Sequence, residues 1–274
     1  MARPTDQYEA FRALHASGCF VIPNPWDIGS ARLLAQMGFE ALATTSSGFA
    51  WTLGRSDNQV TLEEALAHIR AIVEAVDIPV NADFEGGFAV EPDGVERNVA
   101  RAISTGVAGI SIEDSTKDAA QPLFELPLAT ARIRAARQAI DASGADVLLT
   151  GRSEGFIAGR PDLAETIRRL VAYAEAGADC LYAPGIRTLA EITAVVGAVA
   201  PKPVNVLVGS DFTTVAKLAE AGVRRISLGG ALARTAWTGF IEAAWEIAEH
   251  GTFGGLADAL PSAEIEQALG TSKP

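Results

Sequence analysis

Residues 80–88, VNADFEGGF, contain the pattern that decides the fold. Val80 follows Pro79 and closes a short β-type run. Asp83 stands where that run gives out, Glu85 follows two residues later, and Gly86 and Gly87 let the backbone turn away. A strand ending in carboxylates and Gly-Gly is a poor core segment but a good ligand platform, because carboxylate oxygens hold hard cations. Its plainest alternative is a polar strand-to-helix connection. Recurrence along the chain favours the platform.

Short β-type runs alternate with helical patterns from end to end. The runs cover residues 20–23, 41–45, 79–83, 109–112, 146–150, 179–183, 203–207 and 225–228. Helical patterns follow at 27–37, from Thr61, at 92–104 and 127–141, from Pro161, from Thr188, up to Ala221, and finally up to Glu249. Residues 46–58, SSGFAWTLGRSDN, read as a loop. The phrases MGFEAL, TGVAGI, AGADCL and AGVRRI each place a helix-stopping glycine before an apolar strand, so one supersecondary unit repeats. Eight βα units without a composition break predict an α/β fold, a closed (β/α)8 TIM barrel over residues 1–250. An open doubly wound sheet would carry a Gly-rich fingerprint after its first strand, and PNPWDIGSA is none. Residues 251–274 read as a tail with a short helix at 262–269.

Composition narrows the function. The chain has 274 residues, 49% of them hydrophobic, enough for one large core. A net charge of −12 argues against nucleic-acid and membrane-surface partners, and any anion site must bring its own arginine or metal. Cys19 and Cys180 make no disulfide framework and suit a reducing compartment. The N-terminus lacks an apolar signal core and no apolar run reaches membrane-spanning length, so a cytoplasmic protein is expected. His15, His68 and His250 all fall on helical patterns and read as packing or surface residues. A Ser-His-Asp triad and a His-ligated zinc site are thereby disfavoured. Trp237, Phe240, Ala244, Trp245 and Ala248 recur at helical spacing, as a core stripe or a subunit contact.

In such a barrel the strand C-termini converge on one face. The second strand end offers Ser46, Ser47, Gly48 and, further on, Asp57; the third offers Asn81, Asp83 and Glu85. The fourth gives Glu113 and Asp114 with Lys117 beyond, the fifth Arg152, Ser153 and Glu154, the sixth Tyr182 and the seventh Asn205. Carboxylates gathered this closely cannot all ionise without a counter-charge. Oxygen-only ligation points to Mg2+ or Mn2+. Arg152 would then clamp a substrate carboxylate, with Ser46, Ser47 and the Gly48 amide donating to its other oxygens. The competing reading is an internal salt-bridge network of Glu113, Asp114 and Arg152 across the barrel mouth.

These residues carry a resemblance. D-x-x-S-A (Asp27, Ser30, Ala31), S-G with L-G-x-x-D (Ser47, Gly48, Leu53, Gly54, Asp57), the acidic third strand, I-E-D (Ile112, Glu113, Asp114) and R-S-E (Arg152, Ser153, Glu154) occur in order. The chain thus resembles the isocitrate lyase / phosphoenolpyruvate mutase superfamily over nearly the whole barrel. The resemblance implies Mg2+, a 2-oxoacid substrate or its enolate, and a homo-oligomer (dimer or tetramer) that exchanges its last helix. It places Ser46, Ser47 and Gly48 on the substrate with Arg152 opposite, and Asp57, Asp83 and Glu113 around the metal. The departures are specific. Asn81 stands where the superfamily has a ligating Asp, which shifts the metal toward Asp83 and Glu85. The loop STKDAAQPLFEL lacks the cysteine and histidine of the lyase loop, and Ala183, Pro184 and Gly185 replace a strand-six glutamate.

The expected activity is a Mg-dependent lyase acting on a small 2-oxo (di)carboxylic acid, by C–C cleavage or oxaloacetate-type decarboxylation. Asp57, Lys117, Glu113 and Arg152 are the candidate catalytic groups, Asn205 a further substrate contact, and Asn81, Asp83, Glu85 and Glu113 the candidate metal ligands. The alternatives are phosphonopyruvate hydrolase or mutase-like P–C chemistry and a non-catalytic 2-oxoacid-binding protein.

Overall fold

Successive strand residues face opposite ways, and here the apolar set faces outward. Ala82, Ile110, Ile112, Leu149, Leu181, Val206 and Ile226 are all buried in one core cluster with residues of the surrounding helices. The inward positions between them include Asn81, Asp83, Ser111, Arg152, Tyr182, Asn205 and Arg225, which line a single cavity. Barrel interiors are commonly filled by branched apolar side chains. This one keeps a polar well instead.

The computed structural model describes residues 4–270. Helix α1 (Pro4–Ala16) precedes β1 (Phe20–Ile22), α2 (Ile28–Gln36), β2 (Leu42–Ala43), α3 (Ser46–Thr52) and α4 (Leu62–Ala75). Next come β3 (Val80–Asp83), α5 (Pro92–Ile103), β4 (Gly109–Glu113), α6 (Leu126–Ser143), β5 (Leu148–Arg152) and α7 (Leu163–Glu175). The last units are β6 (Cys180–Tyr182), α8 (Leu189–Val199), β7 (Val204–Leu207), α9 (Val215–Glu220), β8 (Arg225–Ser227) and α10 (Ala231–His250). A 3-10 turn (Gly254–Leu256) and α11 (Ser262–Gly270) follow. All eight strands are parallel, in the order β1-β8-β7-β6-β5-β4-β3-β2. The Ala43 amide donates to the Pro23 carbonyl at 3.0 Å and draws β2 to β1, so the expected (β/α)8 barrel closes.

Helix starts follow their capping chemistry. Thr61 with Glu64, and Thr188 with Glu191, form reciprocal capping boxes where helices were expected to open. Two boundaries differ from the sequence reading. Residues 46–52 form α3 rather than loop, because the Thr45 hydroxyl accepts from the Gly48 amide and caps the turn. Helix α7 starts at Leu163 rather than Pro161, because the Asp162 carboxylate caps it through the Glu165 amide at 3.0 Å.

Phe11 of α1 is fully buried against Phe20, Ile22 and Ala43 and so seals the well. His15 lies edge-on to the Phe11 and Phe20 rings at 4.6 and 5.0 Å. His68 stacks on Phe49 at 3.8 Å, with its Nε2 buried and unpartnered among the described residues. Both histidines thus act in packing. In contrast α10 buries only Ala233 and exposes Phe240, Ile241 and Trp245. Among the described residues no helix is long and apolar enough to cross a membrane.

Burial drives His68 down to about 4. Its ordinary value is about 6.5, so below that pH the unfolded chain takes up a proton that the folded chain refuses. His68→Phe should therefore gain stability relative to wild type by roughly 1 kcal/mol per pH unit between pH 6.5 and 4. Urea unfolding at stepped pH measures this, and a difference independent of pH would refute it.

Candidate active site

Arg152, the last residue of β5, lies beside Glu113, the last of β4, in the strand register. Its Nη1 donates to Asp83 Oδ1 at 2.9 Å, its Nε to Glu154 Oε1 at 2.6 Å, and its Nη2 lies 3.2 Å from Glu113 Oε2. Three strand ends therefore meet at one guanidinium. Asp83 is fixed from its other side by the Ser46 amide at 3.0 Å and the Ser46 hydroxyl at 2.9 Å, both on Oδ2. The Arg152 guanidinium also lies 5.2 Å from the centre of the Tyr182 ring.

Burial sets the electrostatics. It pushes Glu113 well above the usual carboxylate range although Arg152 pulls the other way. Glu154 is raised for the same reason. Burial alone would lower Arg152, but Glu154, Glu113 and Asp83 together hold it well above its usual value. Asp57, at the cavity rim, is raised by burial and then by the charge of Asp83. Tyr182 is pushed up to about 12 by burial, so its phenol keeps its proton at neutral pH.

A second pair stands beside the first. Lys117, from the loop after β4, bonds Glu85, whose carboxyl burial raises against the pull of that ammonium. Arg132 of α6 supports this corner. It donates to the carbonyls of Gly86 and Val90 and stacks 4.0 Å from the centre of the Phe124 ring. A side chain at Gly86 would meet Arg132 Nη2 at 2.9 Å, so glycine makes the approach feasible there. Among the described residues four non-glycines adopt left-handed backbone: Asn58, Glu85, Phe88 and Lys117. All four lie on the loops that flank the acids, where strain of about 1–3 kcal/mol per residue is characteristic of functional sites.

The remaining candidates have separate positions. Ser47 contacts the Thr45 hydroxyl at 3.2 Å, and the Gly48 amide serves the cap of α3. Asn205 lines the well with its amide bonded to Ser227 and Arg225. Asp114 turns away from the mouth and accepts from Tyr173, Arg169 and the Glu154 amide, at 2.6, 3.0 and 2.8 Å. Glu154 was quoted in R-S-E but not given a role, and only the fold shows it on Arg152. Arg225 carried no signal, since a charge at the start of a strand reads as surface.

Whether these residues suit a divalent cation can be judged from the donors. Asn81 Oδ1 is buried in the well with no hydrogen-bond partner among the described residues. The other donors are carboxylate oxygens short of counter-charge. No three acids, histidines or cysteines of the described residues already form a ligand cage, because Arg152 and Lys117 hold the carboxylates. The donor chemistry nevertheless fits a hard, oxygen-seeking ion.

Residues 11–248 match the family model described as phosphoenolpyruvate phosphomutase. The chain belongs to that family. A Burkholderia cenocepacia crystal structure, provisionally assigned as a lyase/mutase, superposes with TM-score 0.95 at 46% identity over 98% of each chain. Phosphonopyruvate hydrolase in complex with oxalate and Mg2+ superposes with TM-score 0.85 at 28% identity, over 98% of this chain and 95% of that one. Oxaloacetate decarboxylase of Bradyrhizobium diazoefficiens is 30% identical over 192 residues, 68% of this chain and 65% of its own. Lyase or mutase chemistry within the isocitrate lyase / phosphoenolpyruvate mutase superfamily is thus supported, with a divalent metal, mainly Mg2+, suggested by these relatives.

Arg152→Met should leave three carboxylates without their cation and lower the unfolding free energy by about 3–5 kcal/mol. Because it frees those oxygens, Mg2+ should raise the melting temperature of the variant more than that of wild type. Thermal scans with and without Mg2+ check both, and an unchanged melting temperature counts against the network.

Proposed function

We propose that the protein is a Mg-dependent carbon–carbon lyase that cleaves a small 2-oxo (di)carboxylic acid by way of an enolate. The observation carrying this reading is the convergence of Asp83, Glu113 and Glu154 on Arg152 at the C-terminal mouth of the barrel. Asp83, Glu85, Glu113 and Asn81 would hold the ion. Magnesium, when bound, would neutralise the acids and polarise the substrate's oxo group.

Arg152 would offer its remaining forked donors to the substrate carboxylate. Ser46, Ser47 and the Gly48 segment orient the oxo end from the opposite wall. The bond between the carbon next to the oxo group and the leaving carbon breaks, and its electron pair forms the enolate. The leaving carbon departs as CO2 if it is a carboxylate, or as an aldehyde or ketone if it carries a hydroxyl whose proton is taken up by Asp57 or Lys117. The enolate then takes a proton at carbon. Asp57 at the cavity rim and Lys117 on the loop after β4 are the groups that would carry the proton.

A second reading, P–C cleavage of a phosphonopyruvate-like acid, is favoured by the similarity to the hydrolase. A non-catalytic 2-oxoacid-binding protein is the third. Product analysis separates them. With oxaloacetate, alkylmalates and phosphonopyruvate as substrates, pyruvate should appear from a carbon acid only when Mg2+ is present. Phosphate from phosphonopyruvate alone would replace this reading with the second, and binding without turnover on any substrate would favour the third. Lys117→Met should lower kcat about 100-fold, the usual size of a general acid–base contribution, with little change in KM. Steady-state kinetics of the variant decides it.

We further propose that the protein works as a homo-oligomer through α10. Phe240 and Trp245 are 64% and 60% exposed, and Ile241, four residues before Trp245 and so on its face of the helix, is exposed as well. Phe240→Glu combined with Trp245→Glu should reduce the sedimentation coefficient to that of a monomer.

A further inference from the structure

Arg225 of β8 is 3% exposed, deep in the well. Its Nε donates to Asn205 Oδ1 at 2.9 Å and its Nη2 to Thr150 Oγ1 at 3.0 Å. The His15 Nδ1–H is directed at the Phe11 carbonyl at 2.7 Å, which leaves Nε2 bare to accept from Arg225 Nη1 at 3.3 Å. Burial and the Arg225 charge hold that histidine near 3, so it is neutral at working pH. Every partner of this guanidinium is therefore uncharged, and no carboxylate of the described residues pairs with it.

A guanidinium has five N–H donors, and three are engaged here. A buried cation without an anion is costly, and such a group lining a cavity marks a binding site for the missing charge. The surroundings fit an anion. Ser227 accepts from Asn205 at 2.9 Å and shares a hydrogen bond with the Tyr182 hydroxyl, which leaves one proton of that pair to donate. Arg225 and Arg152 line the same cavity of about 160 Å3. Thr150, which Arg225 touches, lies two residues below Arg152 on β5, roughly 7 Å along the strand. A small diacid can have one end at each arginine, because both guanidinium groups line that one cavity.

We propose that Arg225 forms a second carboxylate subsite on the floor of the well, taking the far carboxylate of a dicarboxylic substrate whose oxo-acid end lies at the mouth. This rests on the function proposed above and assigns its substrate as a diacid rather than a monoacid. Asn205 acts as a positioning residue, since its carbonyl oxygen orients Nε of Arg225.

The test is equilibrium binding by calorimetry to the full chain with Mg2+ present. The probes are malate and 2-hydroxybutyrate, unreactive acids that differ by a carboxylate in place of a methyl group. Wild type should bind malate roughly 10- to 100-fold more tightly, the range of a charge-assisted hydrogen bond. Arg225→Met should abolish that preference and keep the affinity for 2-hydroxybutyrate within about twofold, since only the mouth is then used. Should that variant fail to fold, Asn205→Asp gives Arg225 an internal anion and should remove the preference likewise. Acetate added at saturation should erode the malate advantage and leave 2-hydroxybutyrate binding untouched. Acetate binding alongside 2-hydroxybutyrate, with no malate preference, would assign the floor to a separate small acid and overturn the diacid proposal. Equal binding of the two probes to wild type, with no binding of acetate, overturns the floor subsite alone. Binding of neither overturns the mouth reading and this inference together.

Discussion

Arg152 binds Asp83 through Nη1, Glu113 through Nη2 and Glu154 through Nε, and these three bonds fix where adjoining strand ends must stop. Carboxylates this close repel one another, and burial makes their ionisation harder. One cation shared among them eases both problems in part and leaves Glu113 and Glu154 raised. Asp114, one residue beyond Glu113, holds the Glu154 amide from behind through its contacts with Arg169 and Tyr173. The mouth therefore has a supporting layer, which keeps the acids from relaxing apart.

The barrel was legible in the sequence because its signals are local. Glycine-stopped helices before apolar strands, capping residues such as Thr61 and Thr188, and β runs at regular spacing each depend on neighbours in the chain. The exceptions have the same origin. Residues 46–52 read as loop from their serines and glycine, yet the hydroxyl of Thr45 is enough to start a helix there. Nothing in the order of residues states that Asp162 rather than Pro161 would set the start of α7.

The site was legible in its membership and less so in its contacts. Asp83, Glu85, Glu113 and Arg152 follow from what strand ends offer in a barrel. Their pairing does not, because it depends on strand register and on which way each side chain turns. That is why Lys117 emerges bonded to Glu85, and why Asp114 faces away although it adjoins Glu113. The well beneath them was least legible. An apolar residue beside a polar one in a strand says that the two faces differ, without saying which face is the inside of the barrel. Only closure shows that the polar set points in.

The left-handed backbone at Asn58, Glu85, Phe88 and Lys117 has a consequence for anyone engineering this protein. Glycine at those positions would relieve local strain at the expense of a looser unfolded chain, but at Phe88 it would remove a ring packed on Phe84, and at Glu85 or Lys117 it would break a part-buried ion pair. Strain can be relieved without such a loss at the exposed Asn58, and a robust variant is better sought there or on the outer helices.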